Sequence, residues 1–274
     1  MQHLRFLFAV VSFFAMIVMN ALANSMSFNG LKTGDVSAIY TNNFVPAGFT
    51  FSIWGIIYLW LLLFLIALML GLYVKGKETN VYISNSININ THVAWWFTLS
   101  NILNSVWIVC WHYLYIGLSL AVMVSLLFTI IKIYVSINEI GKGLAKWHHW
   151  ILVKPFSLYL GWISVATIAN TSAYFTSLKL EGVSWVMTLL NVEWPLTYLV
   201  VFVATALAIT FIVKMHDIIY ASVIVWALYG IASRWLYESS IQQLSTAVLF
   251  ICMSLIFGAM ALLIYKDKRI GFSK

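Results

Sequence analysis

Residues 44–74 read FVPAGFTFSIWGIIYLWLLLFLIALMLGLYV, and no charged side chain interrupts them. About 20 mostly apolar residues cross a bilayer as a helix, so 50–74 is a membrane span. Its mouth is richer in rings than a span requires. Pro46 has no N–H and Gly48 no side chain, so the chain can bend there before the helix begins. Phe51, Trp54 and Tyr58 recur at i, i+3 and i+7, which puts them on one helical face. Rings commonly gather at the membrane–water boundary, and Phe44, Phe49 and Phe51 fit such a belt. Trp54, Tyr58 and Trp60 run a turn or two deeper, where a belt fits them less well.

Working outward, the rest of the chain has the same character. Of its 274 residues 63% are hydrophobic and 8% charged, with a mean hydropathy of +0.96; a soluble domain carries roughly 25% charged residues. Eight apolar runs are long enough to span, at 4–23, 50–74, 93–113, 116–137, 155–178, 194–214, 218–235 and 243–265. A backbone in lipid must satisfy its own hydrogen bonds, so runs of this length are helices; barrel strands would be about 10 residues and would alternate. The expected fold is therefore all-α, with eight transmembrane helices. Segments three and four meet in HYLYIG and segments six and seven in KMHD, both tight hairpins. Arg5 and ALANS resemble a signal peptide, but the apolar run between them exceeds the usual 7–15 residues of a signal core. It is expected to remain as the first span.

Lys and Arg set orientation, because cytoplasmic loops carry their excess. With a cytoplasmic N-terminus, Arg5, Lys75, Lys77, Lys132, Lys142, Lys146, Lys154, Lys214, Lys266, Lys268, Arg269 and Lys274 lie inside, and only Lys32, Lys179 and Arg234 outside. Both termini are expected in the cytoplasm of a cell whose inner membrane holds the protein, a bacterial one. The net charge of +7 is spread between apolar runs rather than gathered in a patch, which argues against nucleic acid. Cys110 and Cys252 fall inside apolar runs without metal or disulfide spacing. No span carries a charge near its centre, which argues against an ion-coupled pump. No nucleophile–base pair or paired carboxylates stand in the membrane, so the chain is read as non-enzymatic, with no catalytic residue and no metal ligand.

Two further segments carry polar groups into the membrane. In WWFTLSNILNSVWIVCWHY, 95–113, Asn101 and Asn104 are i, i+3, and Trp107 and Trp111 continue their face. An amide in hydrocarbon must find a partner, so these point into the bundle, as glue between helices or as a polar anchor beside a ring. In PFSLYLGWISVATIANTSAYF, 155–175, Pro155 opens a helix, where its missing N–H does no harm. Trp162, Ala166 and Asn170 share a stripe there, and the small pairs Ser157/Gly161 and Ala169/Ala173 allow close helix approach. Elsewhere, Arg234 and Glu238 read as an i, i+4 surface pair, and Glu193 as a favourable charge at a helix start. His148 and His149 lack a second ligand pair, and LLIYKDKR, 262–269, fits a weak sterol pattern.

Together these segments resemble the tryptophan-rich sensory protein, or translocator protein (TspO-type), family, also called peripheral benzodiazepine receptor-like. Its second-helix motif appears as VPAGFTFSIWGIIY, with Pro46 retained and Ala47 in place of a second proline. Its third-helix Leu-Asn-x-x-Trp appears as Leu103, Asn104 and Trp107. Its fifth-helix order survives in Pro155, Trp162, Ala166 and Asn170, with altered spacing near the proline. The usual continuation after the third-helix Asn is lost. The motifs cover about 1–178, which implies a five-helix module there and a three-helix extension over 179–274. The resemblance implies a receptor, sensor or carrier that binds a flat apolar ligand, a tetrapyrrole or a sterol-like molecule. The implied site comprises Phe49, Phe51, Trp54, Tyr58, Asn101, Asn104, Trp107, Trp162, Ala166 and Asn170. It also implies a homodimer, and no cofactor beyond a porphyrin or haem taken as ligand. A facilitative small-molecule transporter and a porphyrin-degrading enzyme remain as the other readings.

Overall fold

The computed structural model describes residues 2–73, 91–141, 146–182, 193–237 and 243–272. These form α1 (Gln2–Leu22), α2 (Thr33–Ile39), α3 (Ile53–Tyr73), α4 (Thr91–His112), α5 (Ile116–Gly141), α6 (Lys146–Leu152), α7 (Lys154–Leu180), α8 (Glu193–Met215), α9 (Ile218–Tyr237) and α10 (Gln243–Phe272), with no strand among the described residues. Eight helices are long and apolar enough to cross a membrane, at Leu4–Gly30, Gly48–Met69, Val93–His112, Ile116–Glu139, Trp147–Leu180, Trp194–Met215, Ile218–Tyr237 and Leu244–Lys266. The chain is thus an all-α integral membrane protein with the spans expected from hydropathy. The Asn-rich loop 80–90, Lys75, Lys77, Lys142 and Glu238 lie outside the described residues, as does the side chain of Glu193.

Both tight hairpins turn on a single non-glycine residue at positive φ, the first closed by a bond reaching back five residues and the second by one reaching back six. After α4, the Tyr115 N–H reaches the Cys110 carbonyl at 2.9 Å across Leu114, whose φ is +61°. After α8, the Asp217 N–H reaches the Phe211 carbonyl at 3.1 Å across His216, at φ +50°. This is the helix-closing arrangement that glycine normally serves, because a Cβ is crowded at positive φ. Here Leu114 and His216 serve it instead. Asp217 then caps α9, its Oδ1 accepting from the Ile219 and Tyr220 N–H groups, as N-cap carboxylates do.

By packing, the chain forms two compact units: Met1–Val36 with Ser52–Ile163, and Ser37–Phe51 with Ser164–Lys274. The motif-based boundary at 178/179 follows a different criterion from this division. In the first unit, Phe13 of α1, Phe64 of α3, Phe97 of α4 and Phe156 of α7 meet with centroids 4.8–6.1 Å apart, and all four are buried. Edge-on and offset contacts of this kind add to what burial alone contributes. In the second unit α8, α9 and α10 pack on one another. Their buried alanines, Ala204, Ala208, Ala221, Ala227 and Ala232, let backbones approach, which lipid-embedded helices need in the absence of a hydrophobic drive between them.

Candidate functional site

In the first unit, α1, α3, α4 and α7 bring their polar side chains to Asn104. Its Oδ1 accepts the Asn20 Nδ2–H at 2.7 Å and lies 3.5 Å from the Tyr58 hydroxyl. Its Nδ2 donates to the Tyr159 hydroxyl at 3.1 Å. Asn20 also donates to the Met16 carbonyl at 3.0 Å. Asn104 and Tyr159 have no solvent exposure, so this network lies in the dry interior, where an unmade bond is expensive.

Rings lie alongside this hub. Trp54 stacks on Tyr58, its i+4 neighbour on α3, with centroids 5.5 Å apart at 24°. It meets Trp107 of α4 at 5.7 Å, and Tyr159 and Trp162 of α7 edge-on at 6.1 Å each. Trp107 in turn stacks on Trp111 at 6.1 Å. Spacings of three and four residues place each pair on one helix face, so three helices each present two groups to one spot. Trp107 and Trp162 are buried, and Trp54 is half-buried. The Trp107 Nε1–H is buried and has no partner among the described residues.

Of the expected site residues, the fold thus gathers Trp54, Tyr58, Asn104, Trp107 and Trp162. Asn101 turns to α1 instead and donates to the Ser12 hydroxyl at 3.1 Å. Ala166 and Asn170 lie on the part of α7 in the second unit, Asn170 buried and Ala166 half-buried. Phe49 and Phe51 also belong to the second unit. Phe49 packs on Trp226 at 5.5 Å and on Tyr229 at 5.8 Å, and Phe51 is half-buried. Two members of the hub went unnoticed in the sequence, Asn20 and Tyr159. Their signals were a lone amide in the first span and a ring three residues before Trp162.

The residues before α3 form a strap, and α9 holds it. Arg234 donates from Nη1 to the Asn42 carbonyl at 2.8 Å and the Val45 carbonyl at 3.0 Å. The Ala47 N–H donates to the Gly230 carbonyl at 3.0 Å, and Trp226 Nε1–H to the Thr50 carbonyl at 3.0 Å. Arg234 thus serves backbone carbonyls of residues 42 and 45; its expected partner Glu238 lies outside the described residues. Gly230 is required here: a Cβ on it would overlap the Thr50 hydroxyl and stand 2.8 Å from Thr50 Cγ2. Gly230→Ala should destabilise the protein by about 1–3 kcal/mol, the usual range for overpacking. Gly258→Ala on α10, where a Cβ meets nothing within 4 Å, should leave stability level or slightly raised. Thermal unfolding of both variants in one detergent checks this, and equal midpoints would show that the strap yields freely.

Two concavities lie elsewhere. An open groove of about 410 Å³ runs between α1 and α4, bordered by Ser12, Ala15, Ser105 and Cys110 among others. A cavity of about 60 Å³ sits beneath the strap, bordered by Asn42, Phe44, Thr176 and Lys179 among others. No cluster of three His, Cys, Asp or Glu side chains suited to a metal occurs among the described residues, and Cys110 and Cys252 are buried free thiols.

No curated protein and no solved structure matches the chain. The family model described as TSPO-like protein matches residues 6–263, through α8, α9 and most of α10 as well as the five earlier spans, three of which carry the motifs. With nearly its whole length matched, an all-helical membrane architecture and the motif residues Trp54, Asn104, Trp107 and Trp162 in place, the chain belongs to the TSPO-like protein family.

Proposed function

We propose that this protein is a membrane receptor or carrier for a flat apolar ligand, of tetrapyrrole or sterol-like class, bound on the rings around Trp54. Family membership supports a membrane receptor or transporter type of role in general. The observation that carries the finer reading is the half-buried Trp54 ring set against rings from α4 and α7. A broad π-face suits a macrocycle, which stacks in offset geometry, and apolar walls with a few polar groups are the usual form of small-molecule sites. A buried donor without a partner is penalised by about 1–3 kcal/mol; a ligand acceptor facing Trp107 Nε1 would relieve it. No cofactor is required in this reading, a porphyrin being ligand, and a homodimer is its expected assembly.

The carrier form draws support from α7. Between Ser164 and Ser177 its hydroxyls at Ser164, Thr167, Thr171, Ser172, Thr176 and Ser177 are all half-buried, an unusual polarity for a span facing only lipid or core. A porphyrin titration monitored by tryptophan quenching tests binding. Saturable quenching with ligand recovered unchanged supports the receptor, and net uptake by proteoliposomes the carrier. A chemically altered product would favour an enzyme, and unsaturable quenching would remove the site.

We also propose a bacterial inner-membrane location with both termini cytoplasmic. Loop contacts agree with the alternation this requires. Asn29 bonds the His112 carbonyl at 3.2 Å, and Asn43 bonds the Thr197 hydroxyl at 3.2 Å. The strap's bonds to the Arg234 end of α9 agree likewise. Each joins segments assigned to the outer side. Reporter fusions after residues 30, 85, 145, 185 and 240 should read out, in, in, out, out. An outer signal at 145 would overturn the assignment.

A further inference from the structure

Trp226, Gly230 and Arg234 are spaced four apart, so they form one stripe along α9. Each does a different job on the strap. Trp226 Nε1–H holds the Thr50 carbonyl, the Gly230 carbonyl takes the Ala47 N–H, and Arg234 holds the Asn42 and Val45 carbonyls. Four strap positions between 42 and 50 thus depend on α9 for a backbone hydrogen bond. The strap's own bonds are short-range turns, from the Val45 N–H to the Asn42 carbonyl and from the Thr50 N–H to the Ala47 carbonyl, at 3.2 and 3.0 Å. Pro46 contributes no donor between them.

We infer that this stripe is a releasable clasp, and that through the chain it gives α9 a part in fixing the first turn of α3, which carries Trp54. Two features make it releasable. Water can replace the bonds at Asn42, Val45 and Ala47, because they end on backbone groups of half-buried residues outside regular helix; only the Thr50 carbonyl, in the 3-10 turn Gly48–Ser52, belongs to a fully buried residue. The closed form also carries a penalty, since the Thr50 hydroxyl is buried without a partner among the described residues. A charged donor makes the strongest of such bonds, so Arg234 is the dominant link. The strap runs directly into α3, and Trp54 follows Thr50 by four residues. Trp226, Gly230 and Arg234 are therefore positioning residues, acting on the start of α3 through the chain. The ligand half of this inference rests on the binding role proposed above; the clasp itself does not.

Hydrogen–deuterium exchange of the full-length protein in nanodiscs reads the clasp directly. Arg234→Gln should raise exchange across residues 42–50 roughly tenfold or more, because local opening sets exchange in such segments. Arg234→Lys should restore part of the protection, and Trp226→Phe, which removes one donor and keeps a ring, should raise exchange less. Ser254→Ala on α10, whose hydroxyl bonds the Phe250 carbonyl of its own helix, should change nothing. Porphyrin titration reads the consequence. A clasp that fixes the first turn of α3 fixes the Trp54 ring, so Arg234→Gln should weaken porphyrin binding severalfold and Arg234→Lys should restore part of it. Trp54→Leu should weaken Kd and leave exchange at 42–50 as in the parent protein. Unchanged exchange in Arg234→Gln overturns the clasp, and raised exchange with unchanged porphyrin affinity overturns its link to α3. Absence of porphyrin binding by the parent protein would remove the proposed ligand and leave the clasp to be judged by exchange alone.

Discussion

Asn104→Leu should lower stability by about 2–4 kcal/mol, more than any other polar substitution in the membrane core. Leucine has nearly the same volume, so the effect isolates the hydrogen bonds. It removes the acceptor of Asn20 and Tyr58 and the donor to Tyr159. Asn20 keeps its bond to the Met16 carbonyl, so the two tyrosine hydroxyls suffer most. Bonds between membrane helices average about 0.6 kcal/mol and reach about 1.7, and an orphaned buried group adds about 1–3 kcal/mol. Asn101→Leu is the fitting comparison, one turn away on the same helix and equally buried. Among the described residues its amide serves only Ser12, whose hydroxyl is also bonded to the Ala9 carbonyl, and its Oδ1 already lacks a partner. That substitution should cost about 1 kcal/mol or less. Tyr159→Phe should cost less in the Asn104→Leu background than alone, the sign of a shared network. If the two asparagines prove equally replaceable, Asn104 is no hub.

The contrast between these asparagines shows where the sequence could be read and where it could not. The spans were legible because lipid leaves an apolar run of twenty residues one option, and hydropathy reports it. Trp54 with Tyr58 and Asn104 with Trp107 were legible because helix spacing puts each pair on one face and the family motifs name them. Asn101 was assigned to that face too, but three residues turn a helix about 300°. The remaining offset of about 60° is enough to carry its amide from α3 and α7 to α1. The hairpin closure at Leu114 had no signal, since leucine does not favour positive φ, and the one at His216 had only a weak one, since histidine is enriched there but rarely adopts it. The clasp was hidden for a deeper reason. Its bonds end on backbone carbonyls and on a glycine, which any sequence supplies, and Arg234 had an acidic residue at i+4 that offered a simpler partner. Asn20 and Tyr159 were visible only as single polar groups whose partners lie on other helices.

The rings face the sharpest test. Trp54→Leu, Trp107→Leu and Trp162→Leu should each weaken porphyrin binding about 5- to 150-fold. That range follows from roughly 1–3 kcal/mol per lost ring, the size seen when flat bases stack on aromatic side chains. Trp54 should stand at the upper end, because its ring meets all the others and is itself half-buried, so a ligand can reach it. Trp107 separates two contributions. Trp107→Phe keeps a ring and removes the buried Nε1 donor, so it should weaken ligands that bear a carbonyl or carboxylate and spare those that do not. Trp147→Leu and Trp150→Leu on α6 are the controls, since these rings are 60% and 48% exposed and contact none of the site. Affinity has to be compared among variants that unfold at similar temperatures, because Trp107 and Trp162 are also packed as core. If Trp54→Leu binds porphyrin as tightly as Trp147→Leu does, the rings around Trp54 are packing alone, and the ligand must lie on another surface of the protein.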